Sequence, residues 1–428
     1  WVDVAVPQVR VPSVRAAMGP MASVFHGEPS RDLAIVGVTG TNGKTTTTYL
    51  LESVFRMAGR RPGVIGTTGV RVDGRPVPFP RTTPEAPDLQ RLLREMADDD
   101  VDAVAMEVSS HGLDQRRVDG TAFACAVFTN LSQDHLDYHP TMEAYFDAKA
   151  LLFDDARAGS AVINVDDAYG RRLLGRVPRT TTFGVDGDAD VRATDVEADG
   201  DGCRFTLDGL RVRSPLRGRF NVWNCLAAIA ASRAIGIDDA TSVAGVEAVT
   251  GVPGRVERVD DGQPFLVLVD YAHTPDGVAN VLRAARPLAT GRLIVVLGCG
   301  GDRDRAKRPL MGEAATSLAD LAVVTSDNPR SEDPLAIIAE IEPGARAGGG
   351  EYLVEPDRRA AIRTALGRAV AGDVVVIAGK GHEDYQILGT TKVHFDDREE
   401  AETAFGPVWA SPAPSAPPAA DRFRRRWW

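Results

Sequence analysis

Short runs of Val, Ile, Leu and Ala recur along the chain, with amphipathic stretches between them. Leu33–Val38, Val101–Met106, Cys125–Phe128 and Ala161–Val165 make one series, and Leu266–Asp270, Leu293–Leu297, Leu321–Thr325 and Val374–Ala378 a second. Uninterrupted apolar runs of this length are the pattern of strands buried on both faces, and the residues between them suit crossover helices. An α/β fold with mostly parallel sheets follows. The stretch Asp186–Arg213 breaks the rhythm. It is rich in Asp, Gly and Thr, alternates over Cys203–Leu207, and predicts antiparallel hairpins. A helix is predicted over Val222–Ile235. Gly251–Arg255 then reads as a domain boundary, after which the last strand-rich unit runs from Val256 to Phe405. Pro407–Ala420 is rich in Pro, Ala and Ser and is expected to be disordered, and Arg422–Trp428 is expected to be a solvated basic and aromatic tail.

Length and composition narrow the class. A chain of 428 residues has room for roughly two to four domains. Hydrophobic residues are 43% and charged residues 25%, which excludes a wholly disordered or collagen-like chain. No apolar run approaches a membrane span, so no membrane insertion is expected. The net charge of -11, from 49 basic and 60 acidic residues, argues against broad nucleic-acid binding but leaves room for local basic pockets that hold phosphate. Cys125, Cys203, Cys225 and Cys299 are widely spaced, with no CxxC pair. Neither a disulfide framework nor a structural zinc site is expected, and a reducing, cytoplasmic setting fits.

The most informative polar stretch directly follows the first strand. Gly37-Val-Thr-Gly-Thr-Asn-Gly-Lys-Thr-Thr46 leads into a helical pattern with Leu50, Leu51, Val54 and Ala58 on one face. A glycine-rich turn there lets backbone N–H groups approach phosphate oxygens, and the helix N-terminus adds positive potential. Lys44 is suited to the β/γ-phosphates and the Thr45 hydroxyl to Mg²⁺. The usual spacing has glycine at position 38, where this chain has Val38, so the loop is a variant. Val101–Met106 ends in Glu107, a carboxylate at a strand tip and a candidate Mg²⁺ ligand. His135 follows the next strand in a loop with Asp134, Asp137 and His139, where a helix-cap role is the alternative for either histidine. Lys149, in an apolar helical stretch, reads by itself as a snorkelling lysine.

Further motifs follow in order: Arg81-Thr-Thr-Pro84, Glu107-Val-Ser-Ser-His-Gly-Leu-Asp-Gln115, Asn130-Leu-Ser-Gln-Asp-His-Leu-Asp-Tyr-His139, Asp270-Tyr-Ala-His-Thr-Pro275, Gly298-Cys-Gly-Gly-Asp-Arg-Asp304, Asp327-Asn-Pro-Arg330 and Gly379-Lys-Gly-His-Glu-Asp-Tyr-Gln386. In this colinear order the chain resembles the Mur ligases and their folylpolyglutamate synthetase relatives, and within them the branch that adds the third amino acid of the peptidoglycan precursor. The resemblance implies a central P-loop ATPase-like domain over residues 33–252 and a C-terminal Rossmann-like α/β domain over 253–405. Residues 1–32 then read as the remnant of an N-terminal UDP-binding domain and 406–428 as the tail. Because the chain opens on Trp1 and little precedes the ATP loop, an incomplete sequence is expected.

The implied chemistry is ATP-dependent amide formation through an acyl phosphate, with Lys44, Glu107, His135 and Lys149 as the catalytic set. Gly40, Thr41, Asn42, Gly43, Lys44, Thr45 and Thr46 would hold ATP, together with Asn221, Asn224, Arg255, Asp270 and His273; helix capping is the alternative for Asn221. The family carbamylates the lysine that Lys149 matches, which implies two Mg²⁺ ions, one held by Thr45 and Glu107 and the other by Glu107, His135 and a Lys149 carbamate derived from CO₂. Thr82, Thr83, Ser109, Gln115 and Arg117 match positions on the UDP-N-acetylmuramoyl-dipeptide, with a capping or surface polar role as the alternative for each. Arg303, Asp327, Asn328, Pro329, Arg330, Gly379 and Glu383 match positions on the incoming amino acid, where DNPR goes with meso-diaminopimelate. An arginine fork suits the distal carboxylate that lysine lacks. A monomer that closes about Gly251–Arg255 is expected. Two other readings stand beside this one: a different amino-acid ligase of the superfamily, and an ATP-binding fragment with little ligase activity.

Overall fold

The computed structural model describes residues 8–77, 79 and 81–409. Among these residues the central unit is built on a nine-stranded sheet. Across it the strands run Arg75–Val77, Gly69–Val72, Pro62–Gly66, Ala103–Glu107, Ala34–Thr39, Cys125–Phe128, Ala161–Asn164, Thr180–Gly184 and Val191–Arg192. All pairings are parallel except those made by the two strands Gly69–Val72 and Arg75–Val77. The alternation of side chains explains why the runs are apolar throughout. Val36 and Val38 face one core with Leu50, Leu51 and Val54 of helix Lys44–Met57 and with Leu226 and Ile229 of helix Phe220–Ala234. Ile35 faces the other core with Leu89 and Leu93 of helix Ala86–Asp98 and with Tyr145 and Phe146 of helix Met142–Ala150. Both faces are covered, so no position in the strand is free to be polar.

The predicted hairpin region divides. Val191–Arg192 pairs in parallel with the central sheet, and the antiparallel part is the three-stranded sheet Thr194–Asp199, Gly202–Leu207, Leu210–Ser214. The C-terminal unit is a six-stranded sheet in the order Glu257–Val259, Leu266–Asp270, Val374–Ala378, Leu293–Cys299, Leu321–Ser326, Glu351–Val354, parallel except at its first strand. The boundary at Gly251–Arg255 coincides with the change of sheet, and an isolated bridge joins Val252 to Arg255.

Helix Val14–Phe25 packs on helix Ala86–Asp98, and Arg15 pairs with Glu85 at 3.3 Å. This stretch of the 1–32 segment is therefore docked on the central unit. Helix Asp397–Trp409 runs past the boundary expected at 405, and the expected disordered tail from 410 to 428 lies outside the described residues. Among the described residues no helix is long and apolar enough to cross a membrane.

Candidate functional site

The site gathers at the carboxyl ends of parallel strands, where an open α/β sheet leaves its crevices. Gly40 to Gly43 turn between strand Ala34–Thr39 and helix Lys44–Met57. Gly43 has a φ of 87° and Gly40 of 150°. A Cβ on Gly40 would lie 1.9 Å from Thr129 Oγ1, and one on Gly43 2.4 Å from Asn224 Oδ1. Only glycine fits this tightly wound loop. Lys44 Nζ folds back to donate to Gly40 O and Thr41 O, both at 2.8 Å. Lys149 Nζ donates to the same Gly40 carbonyl at 2.8 Å. Lys149 is 1% exposed, which corrects its reading as a snorkelling side chain. Burial lowers the pKa of the Lys44 amine, and burial with the Lys44 charge holds that of Lys149 well below its ordinary value.

Around these lysines stand the expected metal-side groups. Glu107, 1% exposed, accepts from Thr67 N and Thr67 Oγ1, each at 2.9 Å. Thr45 Oγ1 accepts from Arg255 Nη2 at 2.9 Å. His135 has a φ of 56°, its ring centroid 4.8 Å from that of His111 and its Nε2 3.4 Å from Asp134 Oδ2. Burial, opposed by Asp134 and reinforced by His111, Lys149 and Lys44, pushes the His135 pKa down to about 3, so the ring is a neutral donor of a lone pair at neutral pH. His139 is instead part of the wall, paired with Ser110 Oγ at 3.0 Å and stacked on Tyr145. Among the described residues no group of three His, Cys, Asp or Glu side chains stands ready for a metal. Mg²⁺ beside a nucleotide takes one or two protein carboxylates and fills its shell with phosphate and water. Glu107, Thr45 and neutral His135, near two lysines, fit that kind of site.

A cavity of about 480 Å³ opens beside the loop. Asn42, Gly43, Thr46, Asn224, Arg255 and Asp270 line it, along with Phe183, Phe220 and Trp223. Asn221 stands behind Asn224, accepting from its Nδ2 at 2.8 Å. Helix Phe220–Ala234 has Arg219 at its N-cap and no side-chain cap, so the capping alternative for Asn221 fails. Asp270 Oδ2 accepts from Val256 N at 2.7 Å, and burial raises its pKa against the pull of Arg255.

A larger cavity of about 730 Å³ lies between the two units. Thr82, Asp134 and His135 reach it from the central side; His273, Arg303, Lys307, Arg330, Gly379 and Glu383 are among those that reach it from the other. Asn328 Nδ2 donates to Glu383 Oε2 at 2.9 Å, and Asn328 Oδ1 accepts from Ile387 N at 2.9 Å. Gly379 has a φ of 121°, and a Cβ there would meet Asp327 Oδ2 at 2.7 Å. Arg330, at φ 52°, donates through Nη1 to Gly301 O at 2.7 Å and, more distantly, to Asn328 O at 3.5 Å. Pro329 forms the turn behind it, its carbonyl accepting from Glu332 N at 3.0 Å.

The residues expected on the UDP substrate separate. Thr82 lines the large cavity. Thr83 is buried, donating to Glu107 O and accepting from Ser109 N, each at 3.1 Å. Ser109 Oγ caps helix Ser110–Asp114 by accepting from Gly112 N. Gln115 Oε1 accepts from Arg117 Nη2 at 2.6 Å, and Arg117 also pairs with Glu85 at 3.1 Å. The Thr83 and Ser109 hydroxyls are thus engaged inside the wall.

Two family models match the chain: the Mur ligase middle domain over residues 38–232 and the Mur ligase, glutamate ligase domain over 254–381. The chain belongs to the Mur ligase family. Among relatives of this Mur ligase, the UDP-N-acetylmuramoyl-L-alanyl-D-glutamate–2,6-diaminopimelate ligase of Geobacillus thermodenitrificans (strain NG80-2) is 50% identical over 415 residues, covering 94% of this chain and 85% of that one. The enzyme of the same name from Synechococcus elongatus is 53% identical, covering 90% and 79%. A solved structure of a ligase of that name matches with a TM-score of 0.64 and 39% identity over 91% of this chain and 82% of its own. Mycobacterium tuberculosis folylpolyglutamate synthase, complexed with ADP and AMPPCP, matches with a TM-score of 0.72 at 21% identity over 91% and 95%, which shows shared fold.

Several groups at the Mur ligase site were not singled out from sequence. Thr67 braces Glu107, Asp276 Oδ2 accepts from Asn42 Nδ2 at 3.0 Å, and Lys307 pairs with Asp134 at 3.2 Å. Lys307 lies three residues beyond the Asp-Arg-Asp run, but nothing in the sequence tells it from a surface lysine.

Proposed function

We propose that this Mur ligase joins 2,6-diaminopimelate to UDP-N-acetylmuramoyl-L-alanyl-D-glutamate with ATP, in peptidoglycan precursor synthesis. It is a carboxylate–amine ligase, and its family uses ATP, generally with Mg²⁺. The observation that carries the substrate assignment is the large cavity, where groups next to the ATP loop face the Asp327–Arg330 turn and the Gly379–Glu383 loop.

In this reading residues 33–252 activate a carboxylate and 253–405 present the amine. Carboxylate and triphosphate repel, so positive charge must be concentrated where they meet. Lys44 and the Gly40–Thr46 backbone would hold the phosphates, with Asn224, Arg255 and Asp270 around the rest of the nucleotide. Thr45, Glu107, His135 and a carbamate on Lys149 would hold Mg²⁺, which when bound neutralises phosphate charge. The Lys149 amine fits that modification because burial and the neighbouring Lys44 charge both favour its neutral form, the one that attacks CO₂. The D-glutamate carboxylate takes the γ-phosphoryl group, giving ADP and an acyl phosphate. The diaminopimelate amine then attacks the acyl carbon, the C–O bond to phosphate breaks, and inorganic phosphate leaves with the amide formed. No side-chain nucleophile takes part; positioning and electrostatics do the work. Glu383 would hold the substrate ammonium and the Arg330 fork its distal carboxylate.

The test compares amino acids. Diaminopimelate is expected to exceed lysine in kcat/KM, and Arg330→Ala to lower its kcat/KM about 100-fold while changing lysine little. Equal values for the two amino acids, or an unaffected Arg330→Ala enzyme, would remove the assignment.

A further inference from the structure

One stretch of the central unit touches both the ATP loop and the C-terminal unit. On its near side, Asn130 O accepts from Thr41 N at 2.9 Å, Asn130 Oδ1 accepts from Asn42 N at 2.9 Å, and Ser132 N donates to Thr41 Oγ1 at 3.0 Å. On its far side, three consecutive residues reach across. Ser132 Oγ lies 3.5 Å from Asp276 Oδ2, Gln133 Nε2 lies 3.5 Å from Asp304 Oδ2, and Asp134 Oδ1 pairs with Lys307 Nζ at 3.2 Å. Asp134 Oδ2 also stands 3.7 Å from His273 Nε2. The first two contacts are long, whereas the Asp134–Lys307 pair is close and its side chains are only 5% and 6% exposed. Lys307 opens helix Lys307–Leu318, and Asp304 braces that start by accepting from Ala306 N at 2.9 Å.

We propose that Asp134 and Lys307 are a positioning pair that holds the amino-acid unit in register with the ATP loop through the segment 130–135. The proposal rests on the ligase reading above. An ion pair suits such a joint. Separated, both groups regain water, so the contact is made and broken at small net cost; with one partner removed, docking buries an uncompensated charge. An apolar patch of the same area would resist opening. Because His135 follows Asp134 directly, docking through Lys307 also fixes the loop that carries it. Neither residue of the pair is assigned to touch the reacting atoms.

Two readings test this on the full chain: interdomain fluorescence transfer between dyes on the two units, with and without a non-hydrolysable ATP analogue, and steady-state kinetics. Nucleotide is expected to raise transfer in the unaltered protein, and Lys307→Met to abolish that rise. The same change should lower kcat about 10- to 100-fold, the effect of a slightly misplaced reacting group, and leave the ATP-analogue Kd within about twofold. Lys307→Arg should restore both readings in large part. Asp134→Asn with Lys307→Met should be no worse than the more affected single variant, since they break the same contact. If Lys307→Met is poorly folded by circular dichroism, Lys307→Gln gives the same two readings. Unchanged nucleotide-driven transfer in the folded Lys307 variant, or fully additive losses in the double variant, would overturn the proposal. Failure of the unaltered protein to ligate diaminopimelate would instead count against the functional reading, while the transfer measurement still judges the pair.

Discussion

Lys149 shows how much a residue's chemistry depends on its surroundings. Its amine shares the Gly40 carbonyl with Lys44 Nζ, lies 4.6 Å from the centre of the Tyr145 ring, and is 1% exposed. Burial and a neighbouring cation both favour the neutral amine, the form that attacks CO₂. Protein equilibrated with ¹³CO₂ is expected to show a carbamate carbonyl resonance that Lys149→Ala lacks. Ligase activity should fall on CO₂ removal and recover with bicarbonate, and Lys149→Ala should lose about 100-fold or more in kcat, the scale of losing one preorganised charge at a phosphoryl site. Activity indifferent to both treatments would leave Lys149 a structural amine. Lys44 and Thr45 could be proposed from sequence because a phosphate loop needs a fixed order of residue types, and Glu107 because it ends a buried strand. Lys149 had no such signature of its own: an apolar helix carrying one lysine looks the same whether that lysine faces solvent or the loop.

The elements were most legible where both faces are buried. Cys125–Phe128, Leu266–Asp270 and Val374–Ala378 were found with the same bounds as the strands. Pro62–Gly66 and Thr180–Gly184 escaped notice because Pro, Gly and Thr interrupt or replace the apolar run, although both strands pair in the central sheet. The contact between the boundary segment and the Gly379–Glu383 loop was equally hidden. Gly254, at φ 65°, would place a Cβ 2.1 Å from His382 N, and Gly381, at φ 53°, one 2.7 Å from Gly254 O. Gly254→Ala must therefore push two loops apart and strain its own backbone. It is expected to destabilise by about 1–3 kcal/mol in urea unfolding. It should also raise the KM for the amino acid more than that for ATP, because Glu383 shares the displaced loop. An unchanged amino-acid KM would mean that the loop tolerates the shift.

At the scale of the whole molecule, neutral histidines in both units, His139 buried and His135 and His382 partly buried, link stability to pH. Burial pushes His135 and His382 down to about 3 and His139 to about 4, from an ordinary value of 6.5. Between these values the unfolded chain binds more protons than the folded one, so stability rises with pH. It should therefore be complete above about pH 6.5 and decline as pH falls toward 4. Urea midpoints measured from pH 7.5 to 4.5 are expected to decrease steadily, and more gently in His139→Gln, where one of the histidine contributions is gone. Midpoints that rise on acidification would contradict this. The order of motifs along the chain determined the α/β class, the family and the residue types at the ATP loop, because each reflects local patterning or a short run read in sequence. Tertiary structure alone decided that Thr83 and Ser109 are engaged in the wall, that Lys149 meets the loop, and that Asp134 meets Lys307. Those contacts join residues far apart in the chain, and only the packing of two sheets with facing crevices brings them together.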